Sequence, residues 1–212
     1  MKVLVIGANG KVGKLLVRWL INKSHEVKAM IRSEAQAENL KALGAEPVVA
    51  DLEKEFEFAF KGIDAVVFTA GSGSKTGPDK TMTVDLLGAM KTVDAAVKYG
   101  VDRYIMVSAQ GAGSPEEKPE AKRYYFVAKA EADKYLRNTR LRYTVFRPGK
   151  LTDEPAGKVK LAGIIEERGT TSRDLLAKSI AYSLEAESTF RKTIDILDGE
   201  DEVRAAVQQY TF

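Results

Sequence analysis

The sequence lacks cysteine altogether and contains a single histidine, His25, among its 212 residues. Without thiols there is no disulfide framework, zinc–thiolate site, iron–sulfur cluster or cysteine nucleophile. One histidine is too few for a His-rich metal site, and a Ser-His-Asp triad would have to use His25 as its base. We therefore predict no bound metal. Because His25 directly precedes an apolar run, we predict that it is a solvated turn residue.

Long apolar runs and an excess of one charge are also missing. No stretch approaches the roughly 18 apolar residues of a membrane-spanning helix, and the apolar run at residues 3–6 is too short for a signal-peptide core. Thirty-three basic and 30 acidic residues leave a net charge of +3, with no run of five like charges. We therefore expect a cytoplasmic protein that binds neither membranes nor nucleic acid.

The overall composition is that of a globular domain. Hydrophobic residues make up 44% of the chain and charged residues 30%, which excludes intrinsic disorder. Only six prolines and 17 glycines are present, so collagen-like and proline-rich sequences are excluded as well.

Short apolar runs rich in Val and Ile alternate with helical patterns along the whole chain. Continuous apolar runs are typical of strands buried on both faces of a parallel sheet. They occupy residues 3–6, 27–31, 47–50, 65–69, 104–107, 143–146 and 194–197. We predict a doubly wound α/β domain over residues 1–212, with a mostly parallel Rossmann sheet of about seven strands and helices on both faces. Residues 172–184 are predicted to be helical, with Thr171 or Ser172 as the N-cap.

A glycine-rich loop follows the first predicted strand and opens the first predicted helix. Its three glycines, Gly7, Gly10 and Gly13, have the spacing GxxGxxG. The first permits a tight turn, the second lets the backbone approach a pyrophosphate, and the third allows close packing of helix on strand. The helix start adds free N–H groups and a positive dipole end. We predict a dinucleotide site over Gly7–Gly13, including Asn9, Lys11 and Val12; the alternative is an ordinary tight turn.

The end of the second predicted strand favours NADP over NAD. Arg32 and Ser33 stand there, and the carboxylate that would bind the ribose of NAD is missing. A guanidinium and a hydroxyl suit a 2′-phosphate, although Arg32 could also be a solvated residue at a strand end. Asp51, after the third strand, either accepts a hydrogen bond from the adenine amine or caps the acidic segment that follows.

These features, together with several short motifs, resemble the short-chain dehydrogenase/reductase superfamily. The similarity covers nearly all 212 residues. More specifically, the chain resembles the superfamily's atypical branch of NAD(P)-dependent epimerases and dehydratases. Nitrogen-metabolite-repressor-like proteins and small biliverdin and flavin reductases are related in pattern. The motifs that carry the resemblance are Thr69-Ala70-Gly71, Val84-Asp85, Val107-Ser108-Ala109, Tyr125-Phe126-Val127-Ala128-Lys129 and Arg147-Pro148-Gly149. The resemblance implies that Leu52, Ala70, Gly71 and Pro148 also line the cofactor site.

The superfamily's catalytic tetrad of Asn, Ser, Tyr and Lys maps onto this chain with one departure. Tyr125 and Lys129, four residues apart on a predicted helix, lie on the same helix face. A lysine ammonium lowers the pKa of a neighbouring phenol toward the working range of an acid/base, and this lysine can also hold the nicotinamide ribose. Ser108 is expected to hydrogen-bond the substrate oxygen. Asp85 stands where the tetrad has asparagine and cannot donate as an amide does.

The substrate side of the site is predicted to be small. Only 63 residues follow Gly149, enough for a small C-terminal extension over about 149–212 but not for a larger substrate domain. We expect a shallow pocket walled by residues 71–79, 110–118 and 151–160. Lys118, Lys122 and Arg123 form a basic group near its mouth, which is either a solvated helix face or an attractor for an anionic substrate.

The sequence thus predicts an NADP-dependent oxidoreductase or epimerase/dehydratase that acts on a small molecule. Two alternatives stay open, namely a non-catalytic NADP-binding sensor or regulator, and an enzyme like the flavin or biliverdin reductases. Superfamily members often dimerise through the helices after strands four and five. Here those helices are predicted at residues 80–99 and 121–137, so a homodimer is an option.

Overall fold

The computed structural model describes residues 1–73 and 76–211, and its main feature is a sheet of eight strands. Two further short strands, Lys150–Thr152 and Thr170–Ser172, form a separate two-stranded sheet. The strands of the described residues are β1 (Lys2–Ile6), β2 (Glu26–Ile31), β3 (Glu46–Val49), β4 (Ala65–Phe68), β5 (Arg103–Val107), β6 (Arg142–Pro148), β7 (Lys150–Thr152), β8 (Val159–Ala162), β9 (Thr170–Ser172) and β10 (Lys192–Asp198).

The order across the large sheet is β3-β2-β1-β4-β5-β6-β10-β8. Every neighbouring pair is parallel except β10 and β8, which run antiparallel at one edge. The seven predicted strands correspond to β1–β6 and β10, so the doubly wound parallel sheet is confirmed. The eighth strand, β8, was missed because it alternates Lys with apolar residues instead of forming a continuous apolar run.

Helices cover both faces of the sheet. They are α1 (Lys11–Asn22), α2 (Ala37–Lys41), α3 (Pro78–Lys80), α4 (Ala89–Lys98), α5 (Glu120–Arg137), α6 (Arg173–Ser183) and α7 (Val203–Gln208). One hydrophobic core lies between the sheet and α1, α6 and α7, and a second lies between the sheet and α4 and α5. The predicted N-cap of α6 is confirmed, since the Ser172 hydroxyl accepts a hydrogen bond from the backbone N–H of Leu175.

A π-helical segment, Thr81–Gly88, joins α3 to α4 without a break. Its buried residues are Thr81, Asp85 and Gly88, so Asp85 points away from solvent. Single π-helical stretches inside α-helices are rare and often occur at functional sites. The sequence predicted a helix over this region but not its wider turns.

His25 is buried, with 6% of its surface exposed, so the prediction of a solvated turn residue is wrong. The imidazole lies near the chain's amino group, and burial lowers its pKa. Among the described residues, no helix combines the length and the apolarity needed to span a bilayer.

Candidate functional site

The glycine loop lies where the chain switches direction across the sheet. From the central strand β1 the chain winds outward to β2 and β3, and it then returns to β4 on the other side. In open α/β sheets the crevice at such a switch point is the usual ligand site. A cleft of about 220 Å³ opens there. It is lined by Ile6, Gly7, Asn9, Gly10, Met30, Ile31, Arg32, Gln36, Ala50, Asp51, Leu52, Thr69, Ala70, Gly71 and Val84.

Two of the loop glycines are required by close backbone contacts. Gly7 has φ +84°, and a Cβ there would lie 2.7 Å from the Cα of Ala70. A Cβ on Gly13 would lie 2.3 Å from the carbonyl oxygen of Gly7. Any side chain at either position would therefore push the loop away from β4 or the helix away from the loop. Gly10 is less crowded, since the nearest atom to a Cβ there is the Gly7 carbonyl oxygen at 3.1 Å.

The first turn of α1 presents unused hydrogen-bond donors. Gly10 is the N-cap, and no side chain caps the helix. The backbone N–H groups of Lys11, Val12 and Gly13 have no acceptor within residues 1–73 and 76–211. Three free N–H groups at a helix start, beside a loop without side chains, match the needs of a pyrophosphate. The described residues therefore fit a dinucleotide.

Arg32 lines the cleft at the end of β2, where the sequence predicted a 2′-phosphate contact. Its guanidinium is exposed and forms no ion pair with any described residue, so it is free to bind an anion. Ser33 begins the next turn and does not line the cleft. Asp51 lines the cleft, and its Oδ1 accepts a hydrogen bond from the Glu53 N–H at 3.0 Å, which caps the turn that follows; its contact with the adenine amine stays a prediction.

Tyr125 and Lys129 share one face of α5, as the spacing predicted, but they reach different surroundings. Tyr125 lines a second, larger cleft at the carboxyl ends of β5 and β6. The Lys129 ammonium lies 5.9 Å from the Tyr125 ring centre and donates to the Val107 carbonyl oxygen at 3.3 Å. It also lies 3.3 Å from Oδ1 of Asp85, whose Oδ2 accepts from the Ser72 N–H. Lys129 and Asp85 thus form a buried ion pair behind the tyrosine.

The protonation state of Lys129 follows from these neighbours. Burial by itself disfavours the charged ammonium, but Tyr125, Asp85 and Asp133 together outweigh this effect. The pKa of Lys129 is therefore raised above its ordinary value. The ammonium is charged at neutral pH, and the Asp85 carboxylate neutralises part of that charge.

Ser108 lies at the end of β5, where it borders both the larger cleft and a second buried ion pair. Its backbone N–H donates to the Phe146 carbonyl oxygen at 2.7 Å, which fixes it beside the end of β6. The next residue on β6, Arg147, donates from Nε to Oδ2 of Asp133 at 2.9 Å. Burial raises the pKa of Asp133, and the Arg147 charge and the Ser108 hydroxyl oppose that shift. Sequence reasoning missed this pair, although Asp133 continues the Tyr125–Lys129 spacing by another four residues.

The larger cleft has a volume of about 1150 Å³, and its lining agrees only in part with the predicted walls. Of the predicted walls, residues 110–118 supply much of one side. Residues 151–160 contribute only Leu151, and the described part of 71–79 contributes nothing; Ser74 and Lys75 lie outside the described residues. A further wall, which was not predicted, is formed by residues 164–169. These residues reach the cleft because β8 pairs with β10 and the loop that follows β8 lies against the cleft.

This loop is fastened to the cleft by two side chains. The Gln110 amide donates to the carbonyl oxygens of Ile165 and Glu167 at 3.0 and 2.8 Å. Asp195 Oδ2 accepts from the Ile165 N–H at 2.9 Å. The loop is therefore held as a wall by contacts that no local sequence pattern reveals.

The structure groups most of the predicted site residues at one edge of the sheet. Of these residues, the smaller cleft is lined by Gly7, Asn9, Gly10, Arg32, Asp51, Leu52, Ala70 and Gly71. The larger cleft is lined by Ser108, Tyr125 and Pro148. Lys11, Val12 and Gly13 form the helix start next to the smaller cleft. Asp85, Lys129 and Ser33 line neither cleft. No group of three His, Asp or Glu side chains in the described residues is placed to hold a metal ion.

Comparison with known proteins identifies the family. The profile of the NAD(P)H-binding family matches residues 7–187, from the glycine loop to the turn after α6. The chain belongs to the NAD(P)H-binding family. This membership agrees with the glycine loop and the free N–H groups at the start of α1, and with the resemblance to the atypical short-chain dehydrogenases/reductases.

Relatives of similar length share the whole fold. The uncharacterized sugar epimerase YhfK of Bacillus subtilis (strain 168) is 45% identical over 213 residues, which cover 99% of this chain and 100% of that protein. A solved structure from Bacillus halodurans, provisionally named an NAD-dependent epimerase/dehydratase, is 45% identical with a TM-score of 0.96 and 99% coverage of both chains. The oxidoreductase YlbE of Lactococcus lactis is 30% identical with a TM-score of 0.86, covering 98% of this chain and 95% of its own.

Proposed function

We propose that this member of the NAD(P)H-binding family is an NADP-dependent oxidoreductase or epimerase/dehydratase acting on a small molecule. The observation that carries the proposal is that Tyr125 and Ser108 line one cleft, while the glycine loop lines the other at the same end of the sheet. Strands β4 and β5, which end at the two clefts, are neighbours in the sheet. A dinucleotide on the glycine loop can therefore extend its nicotinamide toward Tyr125.

The bound nicotinamide supplies or accepts a hydride, and the residues of the chain handle the proton and the substrate oxygen. In the reducing direction Tyr125 would donate its phenolic proton to the oxygen of the substrate carbonyl. Ser108 donates a hydrogen bond to the same oxygen and fixes its position. Lys129 holds positive charge behind Tyr125 and stabilises the phenolate that remains.

The preference for NADP rests on Arg32. Its exposed guanidinium at the end of β2 has no ion-pair partner among residues 1–73 and 76–211, and no acidic residue lines this end of β2 to bind a ribose diol. A charge-assisted hydrogen bond to a 2′-phosphate suits such a group.

Loss of turnover in Tyr125→Phe tests the catalytic assignment. NADPH oxidation is followed against a panel of aldehydes and ketones, and NADPH affinity is measured in parallel. We expect Tyr125→Phe to abolish oxidation with unchanged NADPH affinity. The matched control is Tyr124→Phe, because Tyr124 is the exposed neighbour on the same helix. Turnover that persists in Tyr125→Phe contradicts the assignment, and reduction of free flavin that tolerates the change supports a flavin-reductase-like enzyme instead.

A second candidate function is supported by the Lys129–Asp85 ion pair. A lysine neutralised by a buried carboxylate activates a tyrosine less than a free one does, which suits a protein that binds NADP as a sensor or regulator. This function predicts tight NADPH binding and no oxidation of NADPH with any compound of the panel.

We also propose that the protein forms a homodimer through the π-helical segment and α5. These elements pack together, and they expose large apolar side chains on the surface of the subunit: Met82, Leu87, Tyr124 and Val127. Exposed apolar clusters of this kind favour association with a second copy. Sedimentation velocity at micromolar concentration tests the proposal, and a single monomeric species contradicts it.

A further inference from the structure

Arg147 is a guanidinium held at the wall of the larger cleft with most of its hydrogen-bonding capacity unused. It lies at the end of β6, and its Nε donates to Asp133 Oδ2 at 2.9 Å. The side chains are 11% and 1% exposed. Within residues 1–73 and 76–211, neither Nη atom of Arg147 has a hydrogen-bond acceptor. Four N–H donors of a largely buried cation are thus left for another partner.

The surroundings place this guanidinium next to the proposed reaction site. Ser108 on β5 is fixed by its backbone to Phe146, the residue that precedes Arg147 on β6. On the loop after β5, Gly113 leaves room for the guanidinium, because a Cβ there would lie 3.0 Å from Nη1. Arg147, Ser108 and Gly113 all line the cleft that Tyr125 lines.

The charge around the cleft favours an anion. Its lining residues include six basic and three acidic side chains: Lys118, Lys122, Arg147, Lys150, Arg168 and Arg173 against Glu117, Glu166 and Asp195. One of these acids, Asp195, is the register partner of Arg147 on β10 and uses Oδ2 to accept the Ile165 N–H. Burial raises the pKa of Asp195, and the hydrogen bond from the Ile165 N–H and the charge of Arg147 oppose that shift.

Apolar side chains complete the lining on the side of α5 and of the loop at residues 164–169. Tyr125 and Phe126 pack edge to face at 5.3 Å between ring centres, and Leu151 and Ile164 line the same cleft. A cleft with a buried cation, basic residues at its mouth and aromatic walls suits a molecule with an acidic end and an apolar body.

We propose that Arg147 binds the anionic group, a carboxylate or a phosphate, of the substrate and is a specificity-determining residue of this site. Asp133 positions the guanidinium through Nε, so that the Nη atoms donate hydrogen bonds to the anion in a fixed geometry. This inference rests on the proposed function for the claim that the bound anion is a substrate, but not for the claim that an anion binds.

Paired probes of equal shape separate charge recognition from simple filling of the cleft. Benzoate is compared with benzamide, and phenyl phosphate with the neutral, equally tetrahedral phenyl sulfamate, by titration calorimetry against the full chain saturated with NADP. We expect at least one of the two anions to bind roughly tenfold to 100-fold more tightly than its neutral partner. The carboxylate and phosphate arms show which anion the site prefers.

Variants assign the effect to Arg147. Arg147→Met is expected to remove the preference for the anion, whereas the control Arg18→Met, at an exposed cation of α1 outside the cleft, keeps it within about twofold. Because Arg147→Met leaves the Asp133 carboxylate buried without its partner, the double variant Arg147→Met/Asp133→Leu serves where the single one fails to fold. Binding of anions to either Arg147 variant with wild-type preference overturns the proposal.

The outcomes distinguish this inference from the proposed function. Equal binding of anion and neutral partner to the wild type overturns the role of Arg147, even where NADP binds. Preferential anion binding that Arg147→Met removes supports the role of Arg147, even where no carbonyl compound is reduced. A merely structural Arg147 would change stability without changing the ratio of the two affinities.

Discussion

The Lys129 ammonium lies 3.3 Å from Oδ1 of Asp85, and both side chains are almost completely buried. The π-helical segment Thr81–Gly88 directs Asp85 inward, and α5 brings Lys129 to meet it. The Lys129 ammonium therefore lies between a carboxylate and the ring of Tyr125. A site with asparagine in place of Asp85 would lack this charged partner of the lysine.

Removing the carboxylate should change stability and activity in opposite directions. Asp85→Asn leaves a buried ammonium without its counter-ion, which costs about 3–5 kcal/mol of unfolding free energy in comparable buried pairs. Asp85 is one of the groups that raise the pKa of Lys129, and Tyr125 and Asp133 still oppose the effect of burial in the variant. We therefore expect NADPH oxidation by the folded variant to be faster than in the wild type. Denaturant unfolding and steady-state kinetics measure the two effects.

The control for this variant is Asp94→Asn on the neighbouring helix α4. Asp94 is exposed and accepts a hydrogen bond from the Tyr135 hydroxyl, so the same change of charge occurs far from Lys129. Asp94→Asn should change neither the unfolding free energy nor the rate of NADPH oxidation strongly. Slower oxidation in Asp85→Asn than in the wild type means that Asp85 positions Lys129 and does not compete with Tyr125 for its charge.

A substitution at Gly10 tests NADP binding at the glycine loop without a large effect on folding. A Cβ at this position meets only the Gly7 carbonyl oxygen at 3.1 Å, so Gly10→Ala should fold with little loss of stability. The added methyl lies where a pyrophosphate approaches the backbone, and we expect NADP affinity to fall at least about tenfold, or ~1.4 kcal/mol. Gly157→Ala is the control, since nothing lies within 4 Å of a Cβ there. Unchanged affinity in Gly10→Ala would place the nucleotide elsewhere.

His25 predicts how stability changes with pH. Burial lowers its pKa in the folded state, whereas the unfolded chain titrates near 6.5. Below about pH 6.5 the unfolded state therefore binds more protons than the folded state, and stability falls as the pH decreases. Urea unfolding at pH 7.5, 6.5 and 5.5 should show a smaller loss for His25→Gln than for the wild type. Parallel losses in the two proteins would contradict the buried, neutral imidazole.

Features that depend on local sequence were predictable. The glycine loop, the apolar strands and the Ser172 cap of α6 each follow from residue types at fixed spacing, and the structure contains all three. The pairing of Tyr125 with Lys129 on one helix face belongs to the same class, because four-residue spacing determines it.

Features that depend on distant contacts were not predictable in this way. The Asp133–Arg147 pair joins α5 to β6, and the wall at residues 164–169 depends on β8 pairing with β10. The surroundings of His25 likewise include Glu185, which lies 160 positions away and whose charge acts on the imidazole. None of these contacts leaves a local pattern that periodicity or spacing could detect.

The most direct test of the account is titration calorimetry of NADP and NAD against the wild type, Arg32→Ala and the control Arg18→Ala. A guanidinium–phosphate hydrogen bond contributes roughly 1.5–3 kcal/mol, so NADP should bind roughly tenfold to 100-fold more tightly than NAD. Arg32→Ala should remove most of this preference with little effect on NAD, and the exposed Arg18→Ala should retain it. Equal affinities in the wild type contradict the choice of NADP, and no binding of either dinucleotide contradicts the whole account.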